Sequence, residues 1–194
     1  MGKKRNRWKD LVTGIAGGAV GLVAMRAYWQ RVAPRLREQV GEQVREQIDG
    51  KGGTELYPRW LDLDRISLVG RKYKKNESST EAMGRIVYSW VTGKEPESEE
   101  ARTMLSYLTH WWFGLMQGGT YGLSSGNAAF PDVGGGLAHG ARLWLFADEM
   151  MVPMLGLQGG PTAAPPLQHA NRLGAHLFYG VAAAAATQFL RWLF

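Results

Sequence analysis

The chain has 194 residues, 23 Lys+Arg against 17 Asp+Glu for a formal net charge of +6, 26 glycines, eight tryptophans and no cysteine. Lack of cysteine excludes a disulfide framework, a thiolate metal site, an iron–sulfur cluster and a Cys nucleophile. The mean hydropathy of -0.24 is that of an ordinary soluble domain, but it averages two populations. Residues 104–194 hold six charged side chains (Asp132, Arg142, Asp148, Glu149, Arg172 and Arg191), and the other 34 lie in residues 1–103. The positive charge divides between the N-terminal tip and a middle segment of nearly balanced charge. No helix-turn-helix, zinc-finger or RNP-like pattern accompanies it, so no nucleic-acid partner is expected.

Lys3, Lys4, Arg5, Arg7 and Lys9 precede the first apolar stretch, which runs from about Leu11 to Trp29. Asn6 lacks the hydroxyl that a myristoylation signal prefers. Arg26 and Tyr28 stand where a signal peptide would carry its small-residue cleavage site, so the stretch is expected to be an uncleaved membrane helix. Pro34 is expected to end or bend it.

A polar insert follows, residues 33–103. Leu36, Val40, Val44 and Ile48 fall every four residues through a Glu-Gln repeat and predict a helix with a narrow apolar stripe, stopped by Asp49-Gly50-Lys51-Gly52-Gly53. Glu55–Lys75 reads as loop. Ser79-Thr80-Glu81 is a capping sequence for a short helix with Met83, Ile86, Val87, Trp90 and Val91 on one face, closed at Thr92-Gly93. Its amphipathic character places it on a membrane surface or against a bundle. Ser98 is the expected N-cap of the next helix, with Glu99 and Glu100 in its first turn.

Three further stretches are long enough to cross a hydrocarbon core, which takes about 20 helical residues: about Met104–Ser124, Gly135–Leu157 and Leu173–Leu193. All are diluted by small residues, which let helix backbones approach in lipid. Gly14 and Gly18, interleaved with Gly17 and Gly21, mark the first helix. Gly114, Gly118 and Gly122 form a ladder in the second, Gly136 and Gly140 repeat it in the third, and Ala182–Ala186 give the fourth a smooth face. The expected fold is all-α: a polytopic bundle of about four transmembrane helices, organised as 1–32 (basic tip and first helix), 33–103 (polar, mainly helical insert) and 104–194 (three-helix region). Under the positive-inside rule the N-terminus is cytoplasmic, four spans return the C-terminus to that side, and the insert lies outside.

His110–Leu123 (HWWFGLMQGGTYGL), Leu143–Leu157 (LWLFADEMMVPMLGL) and Pro165–Gly180 (PPLQHANRLGAHLFYG), with Ala24-Met25-Arg26 closing the Gly-rich first helix, resemble the YagU-like bacterial membrane proteins. The resemblance covers most of the chain outside the insert. It implies a bacterial inner-membrane protein of several helices, and it transfers no catalytic residues.

The third stretch carries the anomaly. His139, Arg142, Asp148 and Glu149 all fall inside it, and charges at membrane depth mark either a functional site or a paired contact inside a bundle. His139, Arg142 and Glu149 share a face, while Asp148 points about 100° away. A polar core of this kind is able to relay protons or bind a small polar solute; alternatively, Arg142 pairs with a neighbouring acid or carbonyl and fixes the packing. Pro153 is expected to free the Glu149 carbonyl four residues back. His110 and His176, at similar predicted depths, are possible axial ligands for haem or chlorophyll, although hydrogen bonding to a neighbouring helix is the commoner role. No HExxH, P-loop, GxSxG or CxxC is present. The expectation is a non-enzymatic membrane protein with no catalytic residue, metal or cofactor, working as a structural or accessory subunit beside other membrane subunits or further copies of itself. A small proton-coupled carrier is the alternative.

Overall fold

The computed structural model describes residues 6–39, 63, 66–126 and 128–194. Among these every regular element is helical: α1 (Arg7–Ala27), a π turn (Tyr28–Val32), α2 (Ala33–Gln39), α3 (Ser79–Thr92), α4 (Glu99–Ser124), α5 (Val133–Arg142), a π-helix (Leu143–Met151), α6 (Val152–Met154), a 3-10 turn (Pro161–Ala163) and α7 (Pro166–Leu193). Val40, Val44, Ile48 and the stop at 49–53 lie outside the described residues. Backbone contacts divide the chain into two units. The first takes Met1–Arg35, Trp111–Leu143 and Arg172–Phe194; the second takes Leu36–His110 and Trp144–Asn171.

In the first unit, α1 starts where the Asn6 side chain accepts the Lys9 N–H at 3.2 Å, with Asp10 in the first turn. Its buried residues are Asp10, Thr13, Gly14, Gly17, Gly18, Gly21, Leu22 and Met25, a stripe at helical spacing made mostly of small side chains. The two interleaved glycine pairs serve two neighbours. Gly14 and Gly18 face Gly118, Gly122 and Gly114 of α4, while Gly17 and Gly21 face Ala183, Thr187 and Tyr179 of α7. A Cβ at Gly18 would stand 2.8 Å from the Gly114 carbonyl oxygen, and one at Gly17 2.6 Å from that of Ala183. Gly136 and Gly140 of α5 pack on Gly180 and His176 of α7. Rising positions on one helix meet falling positions on the other in all three pairings, so α1–α4, α1–α7 and α5–α7 are antiparallel. Leu22, Met25, Tyr28, Ala33, Ala175, Tyr179 and Ala183 form the apolar core of this unit.

Pro34 does not end the first helix. The wider π turn before it, in which the Ala33 N–H reaches back five residues to the Tyr28 carbonyl, makes room for the proline ring, and the helix resumes as α2. Arg7–Leu36 and Pro166–Leu193 are the two helices long and apolar enough to cross a membrane among the described residues. The third expected span is not one α-helix. It starts at Val133, changes to π geometry at Leu143 and closes at Met154.

In the second unit, the N-cap of α3 is Ser78 rather than Ser79. Its hydroxyl accepts the Glu81 N–H, and the Glu81 carboxylate accepts the Ser78 N–H at 2.7 Å, a complete capping box. Gly93, at φ +72°, closes the helix in the left-handed region that glycine tolerates. Most of the apolar face of α3 is turned outward: Val87, Trp90 and Val91 are 50%, 86% and 70% exposed and Met83 and Ile86 half-buried, while Ala82, Gly84 and Arg85 are buried. The small face wins the contact because Gly84 admits Leu105 of α4, and Thr80 bonds Ser106 at 2.7 Å beside it.

Residues 66–78 are irregular but pinned. The Leu68 N–H donates to the Met154 carbonyl (2.9 Å), and those of Lys72 and Tyr73 donate to the Gly156 carbonyl (2.8 and 3.1 Å). Gly156 sits at φ +67° against the Gly70 carbonyl, a place with no room for a side chain.

Candidate functional site

The four charged or titratable groups expected as one cluster are divided between the units: His139 and Arg142 belong to the first, Asp148 and Glu149 to the second. On α5, His139 is buried, and its Nδ1 lies 3.5 Å from a guanidinium nitrogen of Arg142, which is exposed. The imidazole stands between the Tyr121 and Tyr179 rings, at centroid distances of 5.4 and 6.3 Å.

The larger polar assembly of the first unit is built on Tyr121, Asp132, Gln188 and Arg191, outside the cluster expected on the third stretch. The Tyr121 hydroxyl donates to Asp132, whose carboxylate also caps α5 through the Gly135 N–H at 3.2 Å. Gln188 of α7 donates to the Tyr121 hydroxyl and to Ser125 Oγ, both at 3.4 Å, and accepts from Arg191 at 3.3 Å. Arg191 also donates to Ser125 Oγ (3.0 Å), to the Gly126 carbonyl (2.8 Å) and to the Gly122 carbonyl, and it pairs with Asp10 of α1 at 3.0 Å. Asp10 and Arg191 keep only 10% and 12% of their side-chain surface. One run of hydrogen bonds thus ties α1, α4, α5 and α7 together at the end where α1 and α5 begin and α4 and α7 finish. The guanidinium is suited to this task because its planar fork serves several oxygens at once. Asp10 and Arg191 each bound an apolar stretch in the sequence, but only the antiparallel pairing of α1 and α7 makes them partners.

In the second unit, Glu149 projects from the π-helix and is buried. Its Oε1 lies 2.7 Å from Nδ1 of His169, the histidine that carried no sequence expectation. His169 Nε2 lies 3.2 Å from the Ala164 carbonyl oxygen. Both ring nitrogens therefore face oxygens, and the bond to Ala164 fixes a hydrogen on Nε2. One further proton sits between Nδ1 and Oε1, making the pair either imidazolium–carboxylate or neutral imidazole–carboxylic acid. Both forms have zero net charge, which suits a buried setting.

Asp148 is half-buried next to this pair, and its backbone carbonyl takes a hydrogen bond from the Gln158 side chain at 2.8 Å. In π geometry the partner of that carbonyl is the N–H five residues on, which is Pro153 and has none; Gln158 supplies the donor instead. Gln158 thus answers the carbonyl one residue before that of Glu149, which α-helical spacing leaves opposite Pro153. His110 and His176 fall in different units. His176 turns Nδ1 to the Arg172 carbonyl at 2.8 Å.

A third polar centre lies in the irregular segment before α3. Arg85 is buried, donates through Nε to Glu77 at 2.7 Å and through an η nitrogen to the Lys72 carbonyl at 2.7 Å, and reaches Glu95 at 3.5 Å. The Arg85 hydrogen bond holds the Glu77 carboxyl below the usual carboxylate range against the opposing effect of burial. Lys74, at 2.5 Å, does the same for the exposed Glu95. Among the described residues no three His, Asp or Glu side chains converge to hold a metal ion. Compared with protein-family models, curated proteins and solved structures, the chain matches none.

Proposed function

We propose that the protein is an integral membrane protein with no catalytic step of its own, a small multi-pass bundle of about four spans that works by packing against other membrane subunits or further copies of itself. The observation that carries this is the inverted distribution of side chains. Val20 and Val23 on α1, Trp112 and Met116 on α4, Phe146 in the π-helix and Phe178 and Phe189 on α7 are all 46–65% exposed. Many buried positions of the same helices are glycine, alanine, Thr13, Thr187 and Gln188, beside a smaller set of large groups that includes Leu22, Met25, Tyr121 and Tyr179. Water would drive the large apolar groups inward, whereas lipid leaves packing and hydrogen bonding as the forces between helices and puts small and polar residues at the contacts. The resemblance of three sequence blocks to YagU-like proteins would imply a bacterial inner-membrane setting, and the basic N-terminal tip a cytoplasmic N-terminus.

The test is native purification in mild detergent, with size, subunit masses and an absorbance spectrum taken on one sample. Stoichiometric partners or a homo-oligomer are expected. A bare monomer overturns the packing role, and a visible absorbance band would revive cofactor ligation by His110 and His176.

The Glu149–His169 pair favours one second role, a small proton-coupled carrier, because it sets a buried carboxyl group 2.7 Å from a half-buried imidazole. In that case Glu149→Gln in proteoliposomes abolishes a pH-dependent flux while the protein stays folded. If it only unfolds the protein, the pair is structural.

A further inference from the structure

We propose that residues 66–75 and α3 form an interfacial module that inserts an apolar tip among anionic phospholipid headgroups; this rests on the membrane assignment above. Leu68 and Val69 occupy the bend of the pinned segment and are 76% and 51% exposed. Their backbone is held by the bonds to Met154 and Gly156, and Ser67 Oγ closes the bend on the Gly70 carbonyl at 3.0 Å. The tip is therefore preorganised, and its two aliphatic side chains project outward from a fixed backbone. Arg71, Lys72, Lys74 and Lys75 follow at once, all exposed. Lys74 is taken by Glu95, whereas Lys72 and Lys75 have no carboxylate within ion-pairing distance among the described residues.

The same module contains the outward apolar face of α3. Arg85 clasps α3 to the basic segment through Glu77 and the Lys72 carbonyl, so Val87, Trp90 and Val91 belong to one rigid piece with the basic tip. Exposed aliphatics beside exposed cations, with an exposed tryptophan on the same module, match the headgroup layer: the apolar groups sink to the acyl boundary, the indole suits that depth, and the cations meet phosphate. Each Lys or Arg at an anionic surface contributes about 1 kcal/mol, about fivefold in the ratio of inserted to free tip.

Because the chain has no cysteine, single cysteines report their own surroundings. Leu68→Cys, Trp90→Cys and, as a control on α1, Val20→Cys are labelled with an environment-sensitive fluorophore in the full-length protein. Each is reconstituted in phosphatidylcholine vesicles with and without phosphatidylglycerol, and quenching by headgroup-labelled and deep spin-labelled lipid is compared. The expected result is a blue-shifted label at 68 and 90, quenched by the shallow lipid and strengthened by phosphatidylglycerol, with Lys72→Gln and Lys75→Gln each weakening the phosphatidylglycerol effect about fivefold. The position 20 label is quenched by the deep lipid throughout. A water-exposed label at 68 and 90 beside a lipid-quenched label at 20 overturns the module alone. If position 20 is not quenched either, the membrane assignment itself fails. A label at 68 or 90 shielded from aqueous iodide yet untouched by spin-labelled lipid marks a protein on this face and also overturns the proposal.

Discussion

At Gly118 two backbones meet with nothing between them. A Cβ there would lie 2.5 Å from Gly18 Cα and 2.6 Å from its nitrogen, atoms that cannot swing aside. Gly118→Ala is expected to push α1 from α4 and cost about 1–3 kcal/mol, read as a lower midpoint when the purified protein is titrated with a denaturing detergent. Gly134→Ala, at a position with nothing within 4 Å, leaves that midpoint unchanged or raises it slightly.

A second residue-scale expectation concerns acid. Glu77 titrates below its unfolded value of about 4.3, so its contribution is fully present above that pH and is lost as pH falls through the folded value. Glu77→Gln removes it at neutral pH, at about 1.5–3 kcal/mol, the cost of a charged hydrogen bond, since Arg85 keeps Glu95 at 3.5 Å. It also flattens the acid dependence of hydrogen exchange in α3. Four-residue glycine spacing is readable from sequence because it is a property of one helix face. The Glu149–His169 bond is not, since it joins residues 20 apart whose meeting depends on how the chain returns between them.

Among the elements, the segment from Val133 to Met154 departs furthest from its periodicity. Sequence assigns it 3.6 residues per turn throughout, and nothing in Leu143–Met151 announces the wider turn. The consequence shows at Pro153, where the missing donor belongs to Asp148 and is replaced by Gln158. Gln158→Leu is expected to cost about 1–3 kcal/mol, the penalty for an unsatisfied carbonyl, and to speed hydrogen exchange locally in residues 148–157 without disturbing α1. The reversed face of α3 has a similar lesson. Amphipathicity was legible, but which face meets protein depended on Gly84 receiving Leu105, a fact of packing. The Ser98 cap of α4, whose hydroxyl accepts the Ala101 N–H at 3.1 Å, was readable because capping is local.

For the whole molecule, the split between a charged N-terminal half and an apolar C-terminal half was plain from charge counts. Composition could not show that Trp144–Asn171 folds with the charged segment, because membership of a unit is decided by contacts. The proposed four-span path has a direct consequence for sidedness. Single cysteines at Trp8, Phe130 and Trp192, all exposed, are expected to react with an impermeant thiol reagent from the cytoplasmic face, and one at Glu97, also exposed, from the opposite one. Labelling of all four from one face removes the four-span path.

The Asp10–Arg191 bond also sets a timetable for synthesis. Asp10 is made well before its guanidinium partner, with α4 and α5 in between. Until α7 follows, the first helix lacks its contact with Arg191, and the face carrying Gly17 and Gly21 lacks Ala183, Thr187 and Tyr179. A chain truncated before residue 191 never makes the first of these contacts.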